Sequence, residues 1–367
     1  MKLLVFNWQD IKNPFGGGAE VHLHEIFSRV AKLGFDVTLF CSSFKGAKSE
    51  EEIDGIKIIR RGSRSFFNFF VPIYYNKIFR SQKFDVIIDD INKIPFFTPL
   101  FVKQPIIGIV HHLFGKSIFH ETNFLFASYV SIAEKLLPQV YGKTKIAAVS
   151  ESTKNELQKI GFKNENIFLL PNCVDNKKYK LGKQKNSNAI TIGFLGRLKK
   201  YKSIDIALKA FAIVKEKIPN TKFLIVGDGD YKFELEKIAL QLNISNSVEF
   251  KGFVSEEEKV ELLQSMHLVI QPSMKEGWGL TIIEANACGT IAIASNVEGL
   301  RESVLHEKTG LLFEYGNVDE LAEKIIFVLQ NENVRIEFEK NAIEFAKKFD
   351  WENSAKSLVE KIYELKK

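Results

Sequence analysis

The stretch from Lys275 to Gly289 places acidic and glycine residues beside a helix in an order suited to binding a phosphorylated ligand. An apolar run ends at Ser273, glycines follow at Gly277 and Gly279, and a helical pattern then runs to Cys288. The first amides of a helix have no intrahelical acceptor and lie at the positive end of its dipole, so they favour a phosphate. The sequence therefore predicts an anion site near Gly279.

Two carboxylates, Glu276 and Glu284, flank this glycine loop. Like charges a few ångströms apart repel, so neither carboxylate is expected to contact the phosphate itself. A carboxylate accepts hydrogen bonds, and the neutral hydroxyls of a sugar or a ribose would donate them. For the glycine pair taken alone, a tight structural turn is an equally good interpretation.

Further candidates follow other apolar runs. Gly17 and Gly18 open a helix after the first run, and His111 and His112 end a buried type of strand from Pro105. Ligands of doubly wound sheets bind beyond the carboxyl ends of strands, so these positions are expected near a ligand. Adjacent residues point to opposite sides, so the sequence does not decide between His111 and His112.

Metal sites are not favoured. His22 and His24 are two apart on a helix and point in different directions, so we expect one packed and one solvated side chain rather than a shared metal. No ligand spacing supports a site made of His111, His112 and His120. Asp228-Gly229-Asp230 belongs to a glycine turn between a strand and a helix, which argues against an Asp-x-Asp metal motif.

Strand-like and helical segments alternate through the chain, which predicts parallel sheets with right-handed crossovers. The pattern restarts after a polar, lysine-rich stretch, residues 176–188, that we interpret as a linker. The strand-like runs are Lys2–Trp8, Asp36–Cys41, Ile56–Arg60, Asp85–Asp89, Pro105–His111, Lys145–Ser150, Ala189–Leu195, Phe223–Val226, Val248–Val254, Leu268–Ser273 and Ile291–Ser295.

Composition limits the class of protein. The chain has 367 residues, of which 45% are hydrophobic, enough for two or more domains with full cores. No long apolar run and no signal-peptide pattern is present, and the three cysteines are scattered, so a cytoplasmic protein without disulfides is expected. The net charge of +6 suits an anionic donor or membrane surface but does not indicate nucleic acid.

The motifs together resemble one known family. Glu276-Gly277-x-Gly279-Leu280 with Glu284-Ala285 resembles the donor-binding signature of retaining glycosyltransferases of family 4, and Gly196-Arg197-Leu198 with Lys202 resembles their cationic turn. Pro171-Asn172-Cys173-Val174-Asp175 resembles the exit from their first domain, with Cys173 in place of the usual glycine. The resemblance covers nearly the whole chain.

The resemblance implies an α/β protein of the GT-B type, with two Rossmann-like parallel-sheet domains facing a cleft. It implies an acceptor-side domain at residues 1–178, joined by a C-terminal helix at 350–367 that crosses back, and a nucleotide-sugar-binding domain at 186–349. The donor would be a nucleotide sugar such as a UDP- or GDP-sugar, the acceptor a saccharide or a lipid-linked molecule, and no metal would be required.

Site residues follow from the same resemblance. Catalytic roles are implied for His111, Glu276, Arg197 and Lys202, with Glu276 at the transferred sugar and the two cations at the pyrophosphate. Glu284 would bind the ribose. The implied donor-binding residues are Gly17, Gly18, Arg197, Lys202, Phe253, Val254, Gly277, Trp278, Gly279, Leu280 and Glu284.

The sequence leaves alternative functions open. Another two-Rossmann sugar enzyme, such as a nucleotide-sugar epimerase, has the same fold, whereas a nicotinamide-dependent oxidoreductase is disfavoured because neither glycine loop has the G-x-G-x-x-G order. The basic, aromatic segment 57–84 either packs its rings on a sheet, which we favour, or lies peripherally on the inner face of an anionic membrane.

Overall fold

The computed structural model describes residues 1–92, 94–120, 122–182 and 190–366. The chain divides into two compact units, Met1–Asn172 with Trp351–Lys367 and Cys173–Asp350. The first unit therefore ends at Asn172 rather than at residue 178, and the first part of the predicted linker belongs to the second unit. Residues 183–188 of that linker, and Ala189 at the start of the next predicted strand, lie outside the described residues. Within the described ranges, no helix is long and apolar enough to cross a membrane.

The first unit contains one eight-stranded sheet. Its strand order is β3-β4-β2-β1-β5-β6-β7-β8, and every pairing is parallel except that of β3 with β4. In chain order its elements are β1 (Lys2–Phe6), α1 (Gly18–Lys32), β2 (Asp36–Cys41), β3 (Glu50–Ile53), β4 (Ile56–Arg60), α2 (Phe67–Tyr74), β5 (Val86–Ile91), β6 (Ile106–Val110), α3 (Phe124–Tyr141), β7 (Lys145–Ala148), α4 (Glu151–Lys159) and β8 (Ile167–Leu169).

The second unit contains an all-parallel six-stranded sheet in the order β11-β10-β9-β12-β13-β14. Its elements are β9 (Ile190–Leu195), α5 (Ile204–Lys217), β10 (Thr221–Val226), α6 (Lys232–Gln241), β11 (Val248–Gly252), α7 (Glu256–Ser265), β12 (Leu268–Gln271), α8 (Leu280–Ala287), β13 (Ile291–Ser295), α9 (Glu298–Ser303), β14 (Gly310–Phe313), α10 (Val318–Gln330) and α11 (Glu332–Ala346).

The last helix, α12 (Trp351–Glu364), belongs to the first unit although the second unit precedes it in the chain. It packs on α1, where Arg29 Nε donates to Glu352 Oε1 at 3.1 Å and the Phe35 and Tyr363 rings lie 6.0 Å apart. The predicted return of the C-terminal helix to the first domain is confirmed.

The parallel sheets follow from apolar strands that are buried on both faces, as in β1 and β5 of the first unit and β13 of the second. Strands appear wherever the sequence predicted them, with ends that differ by a few residues. The sequence analysis missed β3, β8, β14 and the long helix α3. β3 reads Glu-Glu-Glu-Ile, and its exposed position at the sheet edge explains why no apolar pattern marks it.

The basic, aromatic segment divides between core and surface. Its side chains Phe67, Tyr75, Phe79 and Phe84 are buried in the first unit, which confirms the packing interpretation for them. Arg60 is also buried and binds both Asp10 oxygens at 2.7 and 2.9 Å, so it is not available to a membrane. By contrast, the side chain of Phe69 on α2 is exposed.

Candidate functional site

The glycine loop of the second unit ends at Gly279, which is the N-cap of α8 in a left-handed conformation at φ 83°. A Cβ at this position would lie 2.8 Å from Ser303 Oγ and 2.9 Å from Leu300 Cδ2. Only glycine satisfies both the backbone angle and the space. Gly299, which also lies on α9, permits a second close contact with the loop, since its Cβ would lie 2.1 Å from the Glu276 carbonyl oxygen. The loop is therefore clamped against α9, and α8 begins where the sequence predicted.

Glu276 lies in this loop with its side chain largely buried. Its Oε1 accepts hydrogen bonds from Lys202 Nζ, from Gln271 Nε2 at 2.7 Å and from Ser273 Oγ at 2.9 Å. Burial alone would raise the pKa of Glu276, but the Lys202 charge and these hydrogen bonds outweigh burial and hold the pKa below its ordinary value. Glu276 is therefore an ionised acceptor in a fixed orientation.

Arg197 and Lys202 lie on the connection between β9 and α5. Arg197 is exposed, and no carboxylate among the described residues forms an ion pair with it. Lys202 is mostly buried and bound to Glu276, a contact that the sequence did not indicate. Of the two predicted pyrophosphate ligands, Arg197 is open to an anion while Lys202 already balances a carboxylate.

The turn after β10 supports the turn that carries Arg197. The amide of Leu198 donates to the Asp228 carbonyl at 2.9 Å, and the Leu198 carbonyl accepts from the Tyr231 amide at 3.0 Å. A Cβ on Gly229 would lie 2.3 Å from the Leu198 carbonyl oxygen, so this glycine permits close backbone contact. Asp230 pairs with Lys199 at 2.7 Å. Asp228 and Asp230 thus lie in a structural turn, as the sequence indicated.

Glu284 lies on α8 and is 5% exposed. Its Oε1 accepts from Lys259 Nζ at 2.8 Å, whereas Oε2 is buried without a hydrogen-bond partner in the described part of the chain. Burial would lower the pKa of Lys259, but the charges of Glu284 and Glu256 raise it. Tyr179 Oη donates to Glu256 at 2.8 Å, and burial together with both carboxylates raises the pKa of Tyr179. Sequence reasoning missed Lys259 and Tyr179.

The other predicted donor-binding residues of this unit differ in exposure. Phe253 follows the end of β11 and is 91% exposed, and Val254 is partly buried beside the core. Trp278 buries its indole, with its ring centroid 4.7 Å from that of Phe349, and Leu280 also packs on the core. A donor contact at Trp278 is therefore expected from its backbone rather than from its side chain.

In the first unit, Gly17 and Gly18 form the start of α1, as predicted. Gly17 is the N-cap, and its amide donates to Glu20 Oε2 at 2.7 Å. Asn92 Nδ2 donates to the other oxygen, Glu20 Oε1, at 3.1 Å. Burial raises the pKa of Glu20 despite these hydrogen bonds. The loop is thus stabilised by a carboxylate that the sequence analysis did not single out as a site residue.

His111 follows β6 and is 6% exposed, and its Nε2 donates to Asp90 Oδ1 at 2.7 Å. Burial would lower its pKa, but the charges of Asp90 and Glu20 raise it above the ordinary value. His112 instead lies against Phe114, with ring centroids 4.4 Å apart. The structure therefore places His111 beside the buried carboxylates of Asp90 and Glu20.

His22 packs its ring edge-to-face on His111, with centroids 5.1 Å apart, and its Nε2 donates to the Leu170 carbonyl at 3.0 Å. Burial and the positive charge of His111 lower the pKa of His22 to about 3. His24 Nε2 lies 2.8 Å from Asp54 Oδ2 and its side chain is mostly covered, so the expectation of a solvated His24 is wrong. His22 and His24 point in different directions, as predicted. His22 contacts the predicted site residue His111.

Two family models match the chain over adjoining ranges. The model described as "Glycosyl transferases group 1" matches residues 175–348, and that described as "Glycosyltransferase Family 4" matches residues 16–178. An uncharacterized glycosyltransferase of Methanocaldococcus jannaschii is 31% identical over 60% of this chain, and the match spans 59% of that relative's length.

Solved structures show the same fold. Sucrose-phosphate synthase from Thermosynechococcus elongatus has a TM-score of 0.84 at 19% identity, covering 99% of this chain and 98% of that chain. Anabaena HepE in complex with UDP-glucose has a TM-score of 0.80 at 21% identity, covering 99% and 100%. The fold is the two-sheet GT-B architecture that the sequence predicted. The two family models, which match residues 16–178 and 175–348, show that the chain belongs to the group 1 glycosyltransferases, of the family 4 type.

Proposed function

We propose that this protein is a retaining glycosyltransferase that transfers a sugar from a nucleotide-sugar donor to a saccharide or lipid-linked acceptor. The observation that carries the proposal is the arrangement of the second unit, where two acidic side chains flank one clamped glycine loop. Glu276 and Glu284 are each bound to a lysine, while Arg197 is exposed without a carboxylate partner among the described residues.

This arrangement suits a nucleoside diphosphate sugar. The open guanidinium of Arg197 and the first amides of α8 would bind phosphate oxygens. The two carboxylates would accept hydrogen bonds from neutral hydroxyls, Glu276 from the transferred sugar and Glu284 from the ribose. Their lysines reduce the negative charge that would otherwise oppose a diphosphate. The UDP-glucose bound to HepE supports the same class of donor.

For the chemical step, we propose that the leaving phosphate helps to remove the proton from the acceptor hydroxyl, as in the family, without a metal. Arg197 would stabilise the negative charge that develops on that phosphate. We propose that His111 contacts the sugar near its reacting carbon. The hydrogen bond from Nε2 to Asp90 would hold the imidazole in one orientation for that role.

The lipid-linked acceptor is suggested by an exposed apolar surface on the first unit. We name it the α2–α3 patch, and it consists of Phe66, Phe69, Ile73, Phe124, Leu125 and Phe126, all exposed. The Phe69 ring stacks on that of Tyr129 at 6.4 Å, and Asn68 Nδ2 donates to Tyr129 Oη, so the two helices form one surface. Exposed Arg64, Lys77 and Arg80 on the same segment suit anionic lipid headgroups. We propose peripheral contact with an anionic membrane through this patch.

A thermal-shift screen tests the donor. The purified protein is heated with UDP, GDP, ADP, their common sugar conjugates and NAD, without added metal. We expect one nucleoside diphosphate and its sugar conjugate to raise the melting temperature, since a ligand that binds the folded state stabilises it. The anomeric configuration of the product, read by NMR, then tests retention.

A variant pair sharpens the screen. Arg197→Ala is expected to reduce the shift caused by the diphosphate, whereas Lys222→Ala, which changes an exposed lysine on β10, is expected to leave it unchanged. Stabilisation by NAD alone, or by none of these compounds, would contradict the proposed donor. An inverted anomeric configuration would contradict the retaining assignment only.

A further inference from the structure

The carboxylate of Glu284 has one paired and one unpaired oxygen. Oε1 accepts from Lys259 Nζ at 2.8 Å, while Oε2 is buried without a partner in the part of the chain that the structure describes. An unpaired buried acceptor costs free energy until a donor reaches it. The side of Glu284 that carries Oε2 is therefore suited to a ligand with a hydrogen-bond donor.

Charge restricts the class of that ligand group. An anionic group at Oε2 would meet a second negative charge at hydrogen-bond distance, which is unfavourable in a buried environment. A neutral hydroxyl donates its proton without such repulsion, and a vicinal diol offers two such donors. The unpaired oxygen fits the ribose diol assigned to Glu284 above, and the present inference rests on that proposed function.

Lys259 is itself held in place by three groups. Besides Glu284, its Nζ lies 3.6 Å from Glu256 Oε1 and 5.4 Å from the centroid of the Tyr179 ring. Tyr179 in turn donates to Glu256 Oε2 at 2.8 Å. A lysine side chain normally samples many rotamers, and these contacts restrict it to one place. The ammonium can therefore fix the Glu284 carboxylate rather than follow it.

We infer that Lys259 is a positioning residue for the donor. It binds Oε1 of Glu284, turns Oε2 toward the ribose hydroxyls, and neutralises a carboxylate that lies in the same unit as the phosphate-binding loop. Lys259 acts through Glu284 and not by direct contact with the donor. Its contribution is selectivity for a ribose that carries its 2′ and 3′ hydroxyls.

The experiment compares UDP with 2′,3′-dideoxyuridine diphosphate by calorimetry, with the GDP pair tested in the same way. We expect the wild-type protein to bind the ribose form at least about tenfold more tightly, because hydrogen bonds to a charged acceptor are lost in the dideoxy form. Lys259→Met is expected to reduce that ratio to about twofold while the affinity for the dideoxy form changes little, and Lys259→Arg is expected to restore most of it.

Two further variants separate positioning from general damage. Lys251→Met removes a lysine that pairs with Glu249 at 2.9 Å on the preceding strand, and it is expected to keep the wild-type ratio. Glu284→Gln alone is expected to abolish the preference for the ribose form over the dideoxy form. The double variant Glu284→Gln with Lys259→Met should show no further loss of that preference, because both changes act through one carboxylate. Melting temperatures confirm that each variant is folded.

The outcomes distinguish this inference from the function on which it rests. Absence of nucleotide binding to the wild-type protein would overturn the proposed donor. Nucleotide binding with no preference for ribose, or a preference that survives in Lys259→Met, would overturn the inference alone. An equal loss of affinity for both forms would also overturn it, since the lysine would then act on the phosphates or the base.

Discussion

Lys202 and Glu276, which the sequence assigns to different parts of the donor, are ion-paired with each other on the second unit. Both side chains are mostly buried, so the pair is shielded from water and from salt. Gln271 and Ser273 donate to the same oxygen of Glu276. The contact lets a carboxylate lie in the loop that we propose binds phosphate, because the lysine charge offsets the negative charge of Glu276.

Glu276→Gln should separate sugar transfer from nucleotide binding. The amide keeps the shape of the side chain but loses the charge, so we expect turnover to fall by roughly 10–100-fold, the value of one or two charge-assisted hydrogen bonds. The affinity for the nucleoside diphosphate should stay within a few fold, since Lys202 is released toward the phosphates. Initial rates and calorimetry measure the two effects. Glu323→Gln, an exposed change on α10, is the control, and equal turnover in both variants would contradict the role of Glu276.

Gly279→Ala should lower the stability of the protein by more than the backbone strain at this position explains. Gly316 has a similar φ of 88° but open space around its Cβ position, so Gly316→Ala reports strain alone, about 1–2 kcal/mol. Gly279→Ala adds the overlap with Ser303 and Leu300, and we expect a larger loss of stability together with weaker nucleotide binding. Urea unfolding and calorimetry test this expectation. Equal losses of stability in the two variants, with unchanged binding, would show that the loop is not clamped.

His22→Phe should make the first unit less sensitive to acid. The folded pKa of His22, about 3, lies below its ordinary value of 6.5, so between these values the unfolded chain binds more protons and stability falls as the pH falls. At pH 5 the cost to the wild-type protein is about 2 kcal/mol relative to neutral pH. The variant should lose that part of the pH dependence. The raised pKa of His111 acts in the opposite direction, favouring the folded state at low pH, and it titrates in both proteins.

Urea unfolding at pH 7.5 and pH 5 measures this difference. Trp8 and Trp351 lie in the first unit, so a Trp278→Phe background restricts the tryptophan fluorescence to that unit. His24→Gln, which changes the neighbouring histidine that pairs with Asp54, is the matched control. An unchanged pH dependence in His22→Phe would mean that His22 is protonated in the folded protein.

The α2–α3 patch should bind anionic vesicles. We expect the wild-type protein to sediment with vesicles that contain phosphatidylglycerol but not with phosphatidylcholine alone, and to be released by salt. The double variant Phe69→Ser and Phe126→Ser should lose this binding, because both rings are exposed in the patch. Phe233→Ser removes a more exposed ring from the second unit and should not reduce vesicle binding. Failure of the wild-type protein to sediment with anionic vesicles would contradict the proposed membrane contact. If the wild-type protein is a dimer and the double variant is a monomer, the patch is a subunit interface instead.

The glycine positions show what could be predicted from local sequence. A strand, a glycine pair and a helical pattern were sufficient to predict where α8 begins, because the unpaired amides and the left-handed glycine are local properties. The order of strands and helices likewise predicted two parallel sheets. By contrast, α3 was missed because its apolar residues are spread around the helix, with Phe124 and Leu125 exposed, so no single apolar face marks it.

The pairs at the site depend on residues far apart in the chain. Lys259 is 25 positions from Glu284, and His22 contacts His111 from another element, so no spacing rule connects them. The sequence alone determined the residue types, the alternation of elements and the conformations that only glycine adopts. The tertiary structure decided which carboxylate binds which lysine and which oxygen of Glu284 has no hydrogen-bond partner among the described residues. It also decided that Trp278 is buried, because such contacts arise only when separate strands and helices pack together.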